Sequence, residues 1–231
     1  MSSLAIITAR GGSKRIPRKN IKDFLGKPII AYSIEAALQS GVFDEVMVST
    51  DDEEIAEIAK KYGAKVPFMR SEATSNDHAV TADVLMEVVN TYKAQGAFFD
   101  QICCIYPTAP FITASKLKEA MNIFRESEAD ALIPVVKFDF PPQRGFVVRD
   151  GILQFQFPEY ALTRSQDLEP IYHDCGQFYI LGTRAFMEEK KVIMSNSVPF
   201  IISETEVQDI DNESDWVIAE EKYKRIITEG K

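Results

Sequence analysis

Histidine and tryptophan are nearly missing from this sequence, with two copies and one copy in 231 residues, and cysteine follows with three. Cys103 and Cys104 adjoin each other in an apolar run, while Cys175 stands alone. An odd count with no metal-ligand spacing excludes a disulfide scaffold and a cysteine-ligated metal, leaving small buried hydrophobes in a reducing compartment. No Ser/His or Cys/His pattern suits nucleophilic catalysis, and His78 and His173 are the only imidazoles. Long hydrophobic runs are absent too. Nothing approaches the ~18 apolar residues of a membrane span. Leu4–Ile7 is too short for a signal-peptide core before Arg10. The expectation is a cytoplasmic protein that engages no membrane. Positive charge is the scarcer sign, 26 Lys+Arg against 35 Asp+Glu, and a net −9 argues against general nucleic-acid binding. What remains is ordinary for a globular chain: 45% hydrophobic and 26% charged, enough for a sizeable core.

Short β-rich runs alternate with helical spacing. Strands are expected at Leu4–Thr8, Glu45–Ser49, Lys65–Phe68, Gln101–Tyr106 and Asp130–Val136. Between them lie helices carrying Ile30, Ile34, Ala37 and Leu38, then Asp52–Tyr62, Thr81–Gln95, and one from an N-cap at Thr113 to Glu126. Gly41, Gly63 and Gly96 stand at C-terminal stops. Beyond Lys137 the rhythm breaks into a Phe-, Tyr-, Pro- and Gln-rich stretch, with a hairpin expected at Val147–Phe155 turning on Asp150-Gly151. The α/β pattern resumes with a strand at Gln177–Leu181, a helix at Ala185–Lys190, a strand at Val198–Ile202 and a last helix from Asp211. The fold class implied is α/β: an open, mostly parallel sheet with helices on both faces. Residues 1–231 read as one domain, with 138–174 a β-rich inserted flap.

The scarce positive charge is concentrated. Arg10, Lys14, Arg15, Arg18, Lys19, Lys22 and Lys27 share one window with a single acid, Asp23. A local +6 on an acidic body suits a small, highly charged anion, although a solvated turn is the alternative. The window follows the first strand, where open α/β sheets place their ligands. Gly11 and Gly12 allow backbone N–H groups to approach phosphate oxygens, and Arg10, Lys14 and Lys19 add fixed charge. The pattern is neither a Walker A loop nor G-x-G-x-x-G.

The run Arg10-Gly-Gly-Ser-Lys-Arg-Ile-Pro-Arg-Lys-Asn20 with Gly26-Lys-Pro28 resembles the nucleotide signature of the cytidylyltransferases that activate sialic-acid-type sugars. Val48-Ser-Thr-Asp-Asp52, Tyr106-Pro-Thr-Ala-Pro110 and Asp209-Ile-Asp211 match later motifs of that family in order. The resemblance implies that Arg10, Ser13, Lys14, Lys19 and Asn20 hold the CTP triphosphate, with Lys14 and Lys19 stabilising the departing pyrophosphate. It puts Arg70, Asp77 and Thr81 beside the cytidine half. Arg70 also reads as a surface charge, Asp77 as a helix N-cap, and Thr81 as a first-turn residue. Asp51 and Asp52 end a strand on the same edge, with no role decided.

Asp209 and Asp211 flank Ile210. In extended chain, residues two apart point the same way, so both carboxylates could reach one hard cation. The resemblance implies the same: Mg²⁺, with Mn²⁺ as a substitute, and Asp211 taking part in catalysis. Capping of the last helix is the competing use of Asp211. The implied reaction moves CMP from CTP to the anomeric hydroxyl of a nine-carbon 2-oxo sugar acid. Sugar-side candidates are Tyr106, Asp174, Gln177 and Tyr179; Phe178 and Tyr179 alternate, so one belongs to the core. His173 reads as a polar pocket residue or an aid to proton transfer. Tyr106–Pro110 and Asp174–Tyr179 resemble the family members that act on pseudaminic acid, with N-acetylneuraminate and legionaminate as alternatives. A UTP- or GTP-dependent sugar-1-phosphate enzyme and a non-catalytic nucleotide sensor are the rival classes. Phe138, Phe140, Phe146, Phe155 and Phe157 crowd the flap, and the family resemblance implies a homodimer in which it crosses to the partner.

Overall fold

Alternation of apolar runs with amphipathic helices produces a layered α/β structure, here a computed structural model describing residues 1–76 and 78–229. In chain order the elements are β1 (Ser3–Thr8), β2 (Asp23–Phe24), β3 (Lys27–Pro28), α1 (Ile29–Ser40), β4 (Glu45–Ser49), α2 (Glu53–Lys61) and α3 (Glu72–Ser75). Next come α4 (Thr81–Ala94), β5 (Gln101–Ile105), α5 (Ala114–Glu126), β6 (Ala131–Lys137), β7 (Phe146–Arg149), β8 (Ile152–Phe155) and β9 (Tyr172–Asp174). The chain closes with β10 (Phe178–Gly182), α6 (Thr183–Glu189), β11 (Ser197–Ile201) and α7 (Glu213–Glu229). The main sheet runs β11-β6-β10-β5-β1-β4, with β9 paired to β6. Its two faces are separate apolar layers: Ala5, Ile7 and Val48 pack with α1 and α5, whereas Leu4, Ile6 and Met47 pack with α4. That is the alternation of a strand buried on both sides.

β1 pairs in parallel with β4 on one side and β5 on the other. The chain therefore reverses its direction of travel across the sheet at β1, and a crevice opens beyond the carboxyl ends there. β10 is antiparallel to both β5 and β6, which the sequence reading did not anticipate. The reason is the insertion. The chain leaves at the carboxyl end of β6, and β9 turns back along it, so the next strand enters from the same end and runs the other way.

Two expectations need correction. Lys65–Phe68 is not a strand: a single bridge joins Met47 to Lys65, and Pro67 has no N–H with which to extend the pairing. The last helix begins at Glu213 and not at Asp211. The hairpin forms as β7–β8, its turn residues Asp150 and Gly151 both at positive φ (51° and 75°), the conformation a two-residue I′ turn requires. The unanticipated β2–β3 pair carries Phe24, which α7 covers.

Candidate active site

Loop 9–20 leaves β1 and folds over the crevice. Gly11 is dictated by close approach: a Cβ there would lie 2.7 Å from Asp52 Oδ2. Asp52 cannot yield easily, because it caps α2 by accepting from Ile55 N–H and pairs with Arg18. That guanidinium holds the Asp52 carboxyl below its ordinary range. The Gly11 N–H is donated to Asp51 Oδ1 at 2.9 Å, and neither Gly11 nor Gly12 borders either of the two cavities beside the loop. Two carboxylates without an assigned role thus shape the loop.

The basic window divides in two. Arg18 binds Asp52 and Glu54; Lys22 binds Glu213 and lies over Trp216; Lys27 binds Glu35 and lies over Tyr32. These three fasten the loop to the body. Arg10, Lys14, Arg15 and Lys19 instead border a cavity of about 420 Å³, together with Ser13, Asn20, Thr108 and Asp211. Asn20 is buried and donates to the Arg10 carbonyl, so it bends the loop inward. Lys19 donates to the Ile210 carbonyl at 2.7 Å, and burial lowers its pKa against the opposing pull of Asp211 and Asp209. Both carboxylates therefore lie near one ammonium group. Arg15 meets Asp211 Oδ2 at 2.8 Å.

Asp211 is not the helix cap. Asn212 Oδ1 accepts from Asp215 N–H, and Asp215 Oδ2 accepts from Asn212 N–H, a reciprocal arrangement that satisfies the start of α7. Ile210 is buried between the two aspartates; Asp211 faces the first cavity and Asp209 a second. That second cavity, about 480 Å³, is bordered by Phe111, His173, Asp174, Cys175, Gln177, Tyr179 and Val207. Tyr106 and Thr108 border both cavities, so they form the wall between them.

Tyr106 is tied from both sides. Its hydroxyl lies 3.0 Å from Thr81 Oγ1, its ring meets Tyr179 edge-on, and its backbone carbonyl accepts from Ser33. Tyr179 donates to Asp174 Oδ2 at 2.6 Å, and burial raises the pKa of both tyrosines, keeping them neutral donors. Phe178 and Tyr179 are both buried, so neither is the exposed member of the pair. Gln177 is buried as well; its amide N–H₂ donates to the Glu206 carbonyl and its Oε1 has no partner. His173 Nδ1 sits 2.9 Å from the Asp174 carbonyl. Arg70 is no surface charge: it is buried and anchored on Ser49, and burial lowers its pKa. Arg70 does not border either cavity, and Asp77 lies outside the described residues. Thr108, Phe111 and the role of Arg15 were missed. The first two sit in and next to the Tyr106–Pro110 motif, and Arg15 was counted among the bases without a task.

A cationic cavity beyond the carboxyl ends of β1 and β5, joined through one wall to a mixed cavity, defines a nucleotidyltransferase-type α/β protein. The family model described as Cytidylyltransferase matches residues 4–193, and the chain belongs to that family. It is 44% identical over 225 residues to a pseudaminic acid cytidylyltransferase of Campylobacter jejuni, covering 97% of each chain. A CMP-N,N'-diacetyllegionaminic acid synthase of Legionella pneumophila is 33% identical, with 95% of each covered. Among solved structures, a CMP:2-keto-3-deoxy-manno-octonic acid synthetase complexed with CTP superposes with a TM-score of 0.72 over 97% of this chain and 99% of that one. At 19% identity it supports the fold alone.

Proposed function

We infer that the protein is a CTP-dependent enzyme that transfers CMP to the anomeric hydroxyl of pseudaminic acid and releases pyrophosphate. The observation that carries this reading is the shared wall: Tyr106 and Thr108 separate a cavity rich in fixed positive charge from one of mixed polarity, so two reactants can meet end to end. The 44% identity along the whole chain to an enzyme named for pseudaminic acid supports the choice of sugar. In the reaction the anomeric oxygen attacks the α-phosphorus, the bond to the β-phosphate bridging oxygen breaks, and the hydroxyl proton is lost. Alignment and charge neutralisation carry most of such catalysis. Arg10, Ser13, Lys14 and Lys19 hold the triphosphate, with Asn20 setting the loop that presents them. Lys14 and Lys19 bear on the pyrophosphate as its charge develops. Thr81 fixes Tyr106 against the sugar, and Arg70, buried under the strand ends, orders the cytidine side.

For the metal, the donor chemistry fits. Among the described residues no group of three His, Cys, Asp or Glu side chains could cage an ion. Mg²⁺ needs only one or two carboxylates when phosphates and water complete its shell. Asp211 faces the triphosphate cavity and already meets a cation, while Asp209 borders the second cavity, and both carboxylates act on the one Lys19 ammonium between them. These two would hold Mg²⁺ or Mn²⁺, which when bound neutralises charge on the phosphate oxygens. In the second cavity Asp174, Gln177 and Tyr179 meet the sugar, with Tyr179 orienting Asp174.

The chain reads as one domain with an inserted flap at 138–174 that joins two copies into a homodimer. Phe140 and Leu162 are 87% and 99% exposed, and Val148, Ile152 and Leu153 of the same segment are largely exposed as well. So much apolar surface on one segment needs a cover. A cytoplasmic location agrees with CTP as co-substrate and with three buried free thiols; among the described residues no helix is long and apolar enough to cross a membrane. The deciding assay follows pyrophosphate release with CTP and Mg²⁺ over pseudaminic, legionaminic, N-acetylneuraminic and 3-deoxy-octulosonic acids. Pseudaminic acid is expected to give the highest kcat/KM. A higher value for another acid refutes the sugar, and no release with any of them refutes the enzyme.

A further inference from the structure

Arg15 has no task in the reading above, yet it touches the carboxylate on which the metal assignment depends. Its Nη1 lies 2.8 Å from Asp211 Oδ2, and both side chains border the first cavity. Two neighbouring facts give this contact meaning. The start of α7 is satisfied by Asn212 and Asp215, and Asp215 Oδ2 also accepts from the Asp211 N–H, so the Asp211 carboxylate itself caps no helix. Lys19, the other cation close by, directs its ammonium to the Ile210 carbonyl. Arg15 is a cation in direct contact with the Asp211 carboxylate.

We propose that Arg15 is a placeholder for the divalent cation: it holds Asp211 in the ligand-free enzyme, then exchanges onto the triphosphate when a metal takes that carboxylate. The proposal rests on the assignment of Asp211 as a metal ligand. A divalent cation on the Asp211 carboxylate draws charge from the oxygen that accepts from Arg15 and sets a second positive charge beside the guanidinium, so the two compete for that carboxylate. A guanidinium stays charged at any working pH, and the strongest anion near a displaced Arg15 is the triphosphate bound by Lys14 and Lys19. The exchange would neutralise the Asp211 carboxylate where it borders the first cavity, and would set Asp211 before substrate arrives.

Opposite signs distinguish this role from a structural one. Removing Arg15 should strengthen metal binding to the empty enzyme and weaken nucleotide binding, whereas a loop that merely loses a brace would weaken both. Because the pair is about half exposed, with side-chain accessibilities of 68% and 42%, the metal effect should be a few-fold. The test titrates Mn²⁺, read by electron paramagnetic resonance, into CTP-free wild type, Arg15→Gln, Arg15→Lys and Asp211→Asn, with Mg²⁺–CTP affinity measured by calorimetry on the same proteins. Arg15→Gln should bind Mn²⁺ roughly three- to fivefold more tightly and CTP roughly tenfold more weakly, with Arg15→Lys between it and wild type. Unchanged or weaker Mn²⁺ binding in Arg15→Gln, or unchanged CTP binding, overturns the exchange while Asp211→Asn still loses Mn²⁺. If Asp211→Asn binds Mn²⁺ like wild type, or neither binds it, the metal assignment itself falls and takes the exchange with it.

Discussion

The roles proposed for Lys14 and Lys19 rest on charge, and the settings of the two residues differ. Lys14 borders the triphosphate cavity, and Lys14→Ala should lower kcat by about 10²-fold or more, the loss expected when a preorganised group is removed from developing charge. Steady-state kinetics at saturating CTP and sugar, with circular dichroism as a check on the fold, measures this; unchanged turnover takes Lys14 out of the mechanism. Lys19 is more deeply buried, and desolvation lowers its pKa. Burial disfavours its charged form, so it detracts from stability below its folded pKa, and that cost is relieved as pH rises through it. Activity should move the other way, falling on the alkaline side at a pH below the ordinary lysine value of 10.5. Lys19→Arg should shift that limb upward, and identical pH–rate profiles would sink the argument. These lysines were legible in the sequence because basic residues crowd one window of an acidic chain. Arg70 was legible as a residue but not as a buried one, since no local pattern announces that Ser49 will meet it from a neighbouring strand.

At the scale of elements, α7 sets the position of Asp211. Trp216 and Tyr223 pack edge-on against Phe24, and Lys22 clasps both the Trp216 ring and Glu213, so the helix is fastened to the basic segment that follows β1. Asn212→Ala should cost about 1 kcal/mol of stability, as lost N-caps do, and should raise the Mg²⁺ concentration needed for half-maximal rate because Asp211 is the preceding residue. Urea unfolding and a Mg²⁺ titration of turnover measure the two effects; a stability loss with an unmoved Mg²⁺ requirement would separate the cap from the site. Helices and parallel strands were readable from periodicity and from terminal signals such as Gly41, Asp52 and Thr113. The direction of β10 was not. Its apolar pattern is that of any buried strand, and antiparallel pairing follows from where the flap re-enters the sheet.

For the whole molecule, the flap carries the exposed apolar side chains Phe140, Val148 and Leu162. Light scattering at micromolar concentration should give a mass about twice the 26.0 kDa of one chain. A charged pair, Val148→Asp with Leu162→Asp, should shift it to the monomer while leaving CTP affinity intact, because neither residue borders the triphosphate cavity. A monomeric wild type would reject the homodimer. Activity should also vanish in excess EDTA, and full turnover there would reject the metal.

The sequence by itself determined the class of fold and the basic loop that borders the first cavity. Those properties rest on local order: apolar periodicity, turn chemistry and a dense run of bases are written along the chain. Tertiary structure alone decided how those bases are divided. Arg18, Lys22 and Lys27 meet acids away from the first cavity and become fastenings, while Arg10, Lys14, Arg15 and Lys19 border that cavity. It also decided that Gly11 faces Asp52, that Tyr106 is a wall between two cavities, and that Arg15 reaches Asp211. Each of these joins residues far apart in sequence, and the energy of a charge or a close contact depends on distance in space, which no local pattern records.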